Sequence, residues 1–95
     1  MSHAYVVGQI TVKHAERWAE YRGKVLATLQ PFGGEMVFRG EQVVALSGAC
    51  LHPDIVVIRF PSVEEANGWH GSAAYQALVP LRQSAADVVL TTYRA

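Results

Sequence analysis

Two punctuated stretches, one in each half, constrain this chain more than any other feature. Pro31-Phe32-Gly33-Gly34 closes an amphipathic stretch. Proline removes the N–H that a helix would need, and the paired glycines let the backbone reverse. Trp69-His70-Gly71-Ser72-Ala73-Ala74-Tyr75 interrupts a helical region of the second half. Together they divide the 95 residues into two strand–helix–strand units of similar size. That division predicts a single α+β domain, residues 1–95, with pseudo-twofold internal order.

The local patterns fill in the units. Ala4 to Val12 is rich in β-branched residues and reads as a strand. One face carries Val6, Gly8, Ile10 and Val12, with Gly8 leaving a gap for a neighbouring backbone, an aromatic ring or a ligand. His14 to about Gln30 reads as a helix whose apolar stripe is Trp18, Tyr21, Val25 and Leu29, with Arg22 and Leu26 at its edges. Glu35 to Arg39 predicts a second strand, Gly40 to Gln42 a turn, Val43 to Ser47 a short strand or hairpin extension, and Gly48 to Pro53 a loop. The nearly continuous apolar run Ile55-Val56-Val57-Ile58 marks a central strand over Asp54 to Phe60. Ser62 followed by Glu65 is a capping box, opening a helix that runs to Gly71. A further helical piece, Ser72 to about Ala85, is kinked or split at Pro80, and Ala86 to Tyr93 is the last strand.

The order is βαββαβ, the split βαβ or ferredoxin-like pattern. Right-handed crossovers place both helices on one face of an antiparallel sheet. The other face then needs a cover, and a second copy packing sheet against sheet supplies one. Composition agrees: 51% of residues are hydrophobic and only 17% charged, apolar for so small a monomer, so an oligomer that hides surface is expected. The formal net charge of zero disfavours non-specific binding to nucleic acid or to an anionic membrane. Cys50 is the lone cysteine, which rules out an internal disulfide and fits a reducing compartment. There is no signal-peptide pattern at the N-terminus and no apolar run near the ~20 residues of a membrane span. A cytoplasmic protein is expected.

A set of residues in order carries a resemblance: Tyr5, Tyr21, Phe32-Gly33-Gly34, Arg39-Gly40, Leu46, Gly48, Val56-Val57-Ile58, Phe60-Pro61-Ser62, Ala66, Ser72, Tyr75-Gln76-Ala77 and Leu81-Arg82. By these residues the chain resembles the dimeric α+β barrel superfamily and, within it, the family called domain of unknown function 1330. The resemblance implies the ferredoxin-like fold and a dimer whose two sheets form a barrel. It implies no particular reaction, since the family has no established common activity. The chain also departs from the family pattern, with His14 where an acidic residue is common and Ser47 and Arg59 where carboxylates are frequent. Chemistry that depends on those carboxylates is not expected here. Arg59 in a pocket in place of an acid would favour an anionic ligand.

Trp69, Ser72 and Tyr75 also resemble the Trp-x-x-Ser-x-x-Phe/Tyr signature of small monooxygenases on this fold. In the haem-degrading members an iron-ligating His and an assisting Asn accompany it, and those positions fall here at Val79 and Gly8. Haem degradation is therefore not expected, and Trp69 with Tyr75 reads first as packing beneath the helix. No metal site is expected: His3, His14, His52 and His70 lack metal-ligand spacing. His14 and His70 otherwise read as solvated helix-end residues. Cys50 lacks a basic activator, and Gly33-Gly34 follows a helix rather than preceding one, so neither a thiolate nucleophile nor a phosphate loop is expected.

The candidate catalytic residues are His70, as a proton shuttle beside Trp69, and Tyr21, which with an arginine can orient a carbonyl or carboxylate. The candidate ligand-binding residues are Gly8, Arg39, Arg59, Trp69, Tyr75 and Arg82, although ion pairing of Arg82 with Asp87 or Glu35 is the plainer account of that residue. No cofactor is expected. Two function classes stand. One is a small-molecule binder or cofactor-free enzyme of the monooxygenase, isomerase or decarboxylase kind, holding an apolar, aromatic or keto ligand between helices and sheet. The other is a non-catalytic structural or regulatory dimer.

Overall fold

A computed structural model describes residues 3–95. β1 (Ala4–Val12) leads to α1 (Ala15–Leu29), a single 3₁₀ turn (Gln30–Phe32), β2 (Glu35–Glu41) and β3 (Asp54–Phe60). Then come α2 (Val63–Gly71), α3 (Ala73–Gln76), α4 (Val79–Ala85) and β4 (Ala86–Arg94). The sheet is four-stranded and antiparallel in the order β2-β3-β1-β4. This is the ferredoxin-like α+β fold, with helices on one face.

The element boundaries follow from local chemistry. The His14 imidazole caps α1 by accepting from the Arg17 N–H at 3.3 Å. Pro31 ends α1 in the 3₁₀ turn, and Gly33 leaves it with φ of +69°, a left-handed conformation that glycine adopts without strain. Ser62 Oγ accepts from the Glu65 N–H at 3.2 Å to start α2, and Ser72 Oγ does the same for Tyr75 to start α3. Pro80 splits the second helical region: it lies in the first turn of α4, where its missing N–H has no intrahelical partner to lose.

One expected element is absent. Residues 43–47 form neither a strand nor a hairpin extension; residues 42–53 are an exposed loop, closed at its base by the Gln42 N–H donating to the Pro53 carbonyl. The segment precedes β3 and enters no strand pairing among the described residues, so propensity alone does not make it a strand.

The two sheet faces differ. Ala4, Val6, Ile58 and Phe60 pack beneath Tyr21, Val25 and Leu29 of α1 and Ala66, Trp69 and Tyr75 of the second helical region. The face away from the helices presents Tyr5, Val7, Ile55, Val57 and Arg59, together with Phe38, Val89 and Tyr93, the last three about half exposed. β2 also carries a bulge: Met36 stands opposite Ile58, yet Phe38 is opposite Val57 and Arg39 opposite Val56. Val37 is the extra residue. Because side chains alternate along a strand, the bulge shifts the parity and sends Arg39 to the same face as Met36.

Candidate functional site

Between α1 and the sheet lies a cavity of about 390 Å³. Ile10, Val56, Ile58, Val88 and Leu90 of the strands form its apolar floor, and Trp18, Tyr21 and Val25 of α1 its roof. Trp69 reaches it from α2. Arg22, Arg39, Glu41 and Asp54 supply its charged lining. Gly8 shapes the floor from below. A Cβ there would stand 2.7 Å from Val56 Cγ1 and 3.2 Å from Leu90 Cδ2, so glycine is what lets these two side chains converge.

A buried network holds the far wall. Trp69 Nε1 donates to Thr28 Oγ1 at 2.9 Å, and that hydroxyl donates to the Val25 carbonyl at 2.6 Å. The Trp69 ring lies on Tyr75, with centroids 4.3 Å apart, and against Phe60 at 5.5 Å. The Tyr21 and Tyr75 hydroxyls are 2.9 Å apart, and Arg82 Nη1 donates to the Tyr75 oxygen at 2.8 Å. Either hydroxyl can be the donor between the two tyrosines; when Tyr75 donates to Tyr21, the Tyr21 proton is left for an acceptor in the cavity. Trp18 stacks on Tyr21 from the open side at 5.1 Å.

The electrostatics define what Tyr21 can do. Burial, then the neighbouring Tyr75 hydroxyl, push the Tyr21 phenol well above its ordinary value; Arg82 and Arg39 pull the other way and do not prevail. Tyr21 is thus a hydrogen-bond donor at neutral pH and not a base. Arg39 is shifted down, first by partial burial and then by the nearby Arg22 guanidinium. Among the described residues no group of three or more His, Cys, Asp or Glu side chains could hold a metal ion. Nor is any helix among them long and apolar enough to cross a membrane.

The sequence matches the pattern of one family, described as domain of unknown function (DUF1330), over residues 3–94. This chain belongs to the DUF1330 family. No protein among curated sequences matches it. Its fold is shared with a protein of unknown function from Rhodopseudomonas palustris, at 19% identity and a TM-score of 0.83 over 99% of this chain and 82% of that one. A dimeric ferredoxin-like protein of unknown function from Jannaschia sp. is similar at 8% identity and a TM-score of 0.77, covering 98% of this chain and 99% of that one. SnoaB, a cofactor-independent oxygenase from Streptomyces nogalater, is similar at 9% identity and a TM-score of 0.70, covering 100% of this chain and 94% of that one.

In this DUF1330 member the cavity brings together Tyr21, Arg39 and Trp69 of the expected site residues. Tyr75 and Arg82 stand behind Tyr21 and do not line the cavity. Arg82 pairs with neither Asp87 nor Glu35: Asp87 holds Lys13 at 3.2 Å and Glu35 holds Arg59 at 2.9 Å, while Arg82 turns back along its helices to Tyr75. Gly8 makes room for the floor and is not itself a wall.

Two expected site residues lie outside this cavity. Arg59 is on the sheet face opposite the cavity, because it pairs in register with Tyr5 and Glu35, and its bond to Glu35 raises its pKa. His70 does not enter the cavity. Successive helix residues point about 100° apart, so burying Trp69 turns His70 outward, to a separate hollow of about 260 Å³ beside Asn67 and Thr92. Arg22, Glu41, Asp54 and Thr28 were not singled out by the sequence. The position of Arg22 four residues after Trp18, on the border of the stripe, was the available signal.

Proposed function

We propose that this DUF1330 protein is a homodimer that binds one small apolar, aromatic or keto molecule per subunit beneath α1, and that Tyr21 donates its phenolic proton to an oxygen of that molecule. The cavity with the Arg82–Tyr75–Tyr21 chain at its wall carries this reading. A cationic donor at one end polarises both hydroxyls, and a donor held in an apolar site stabilises negative charge better than water does. Such a device suits enolate-forming chemistry: cofactor-free oxygenation, isomerisation or decarboxylation. A similar fold carries the cofactor-independent oxygenase SnoaB, which supports an enzymatic use of this architecture. The bare apolar face and the dimeric Jannaschia protein support the homodimer. Native mass spectrometry of protein purified from its host tests both parts. A dimer with one retained small molecule per subunit is expected, with retention lost in Tyr21→Phe while the dimer persists.

A non-catalytic dimer is the second reading. One observation favours it: among the described residues every buried side-chain polar atom already has a partner, Tyr21 included. A dimer that retains no molecule, and whose melting temperature no candidate ligand raises, would establish that reading instead.

A further inference from the structure

We propose that Arg22 and Arg39 form an anion subsite in this cavity, and that its ligand class is a carboxylate on an apolar or aromatic body; this deepens the cavity reading above and rests on it. The two guanidiniums come from opposite walls, α1 and β2, and line the same space. The ion pairs among the described residues are Lys13–Asp87, Lys24–Glu20 and Arg59–Glu35. Neither Arg22 nor Arg39 is in one, and neither makes a side-chain hydrogen bond to another residue described here. They are close enough that Arg22 disfavours the charge on Arg39. Two like charges held together above an apolar floor repel each other, and an anion between them relieves the repulsion with charge-assisted hydrogen bonds.

Arg39 reaches the cavity only because of the bulge at Val37, which interrupts the β2–β3 ladder. With regular alternation it would share the face of Val37 and Glu35 instead. A ladder defect that re-aims one arginine is a feature of built sites. The charge balance then selects the head group. Glu41 and Asp54 also line the cavity, so a doubly charged phosphate meets repulsion that a carboxylate meets at half strength. The floor of Ile10, Val56, Ile58 and Leu90 selects an apolar body.

The chain contains two tryptophans, Trp18 and Trp69, and both line the cavity, so intrinsic fluorescence reports occupancy directly. The full-length protein is titrated with 4-phenylbutyrate, its primary amide, 4-phenylbutylamine and 3-phenylpropyl phosphate. The carboxylate is expected to bind about tenfold more tightly than the amide, as charge-assisted bonding to arginine predicts. Arg22→Gln and Arg39→Gln each bring the carboxylate down to the affinity of the amide and leave the amide unchanged. Equal binding of carboxylate and amide overturns the anion subsite but leaves the cavity reading intact. Preference for the amine shows that Glu41 and Asp54 govern recognition, and preference for the phosphate overturns the ligand class. No binding by any probe overturns the subsite and the cavity together. Thermal melts check the fold of each variant; Arg22 is exposed on α1, so its substitution carries the test should Arg39→Gln not fold.

Discussion

The space beneath α1 has two ends built on opposite principles. At the Trp69 end, Trp69, Tyr75, Phe60 and Leu29 are fully buried, and the indole, hydroxyls and guanidinium are joined in hydrogen bonds. At the Arg39 end the same helix and sheet enclose a hollow lined by charged groups that form no ion pair among the described residues. One end maximises packing and polar satisfaction, which is what stability requires. The other leaves open space and keeps its charged groups exposed or half-buried. A small domain has a narrow stability margin, so under the proposed function the hollow end is where binding, and not folding, sets the residues.

Substitutions at the two ends should therefore separate stability from binding. Trp69→Ala is the harshest test of the filled end: it empties the largest buried side chain and is expected to cost about 3–5 kcal/mol in denaturant unfolding. Gly8→Val follows, because a branched side chain would collide with Val56 and Leu90; overpacking of this kind costs about 1–3 kcal/mol, and it should also close the floor and abolish probe binding. Thr28→Val strands the Trp69 N–H and is expected to cost about 1–3 kcal/mol. A loss at Thr28 no larger than at an exposed site would show that the closed network is not what holds the filled end. Arg22→Gln should change stability by less than about 0.5 kcal/mol, as at other exposed positions, while removing carboxylate preference. A large loss there would erase the contrast between the ends.

Alkaline pH sharpens the same comparison at Tyr21, which touches both ends. Its pKa is raised in the folded state, so above the ordinary phenol value near 10 the unfolded chain releases a proton that the folded chain keeps. Stability from this group is fully present below that pH and falls as pH rises above it. The slope of unfolding free energy above about pH 10 should accordingly be shallower in Tyr21→Phe than in the parent.

The sequence reveals the filled end much better than the hollow one. The stripe Trp18, Tyr21, Val25 and Leu29, the Ser62 cap and the β-branched runs report burial and direction through local periodicity, and the folded chain agrees with them. Residue type alone offers Tyr21, Arg39 and Trp69 as candidates, and all three line the cavity. What was not legible depends on register. Arg59 and Arg39 both read as strand arginines, and only the pairing of β3 with β1 and the bulge at Val37 send one away from the cavity and the other into it. Proximity to Trp69 along the chain suggests His70, yet helical geometry separates neighbours in sequence. The loop at residues 42–53 read partly as strand because its apolar composition is strand-like, and composition carries no information about whether an edge is available to pair with.

The hydroxyl of Thr28 fastens α2 to α1 through one tryptophan while spending no atom on the opening between Arg22 and Arg39. Substitutions at the open end therefore need not loosen the pin that keeps the helical layer seated. A layer whose fastening and whose open end lie on separate side chains can accept change at one without loss at the other.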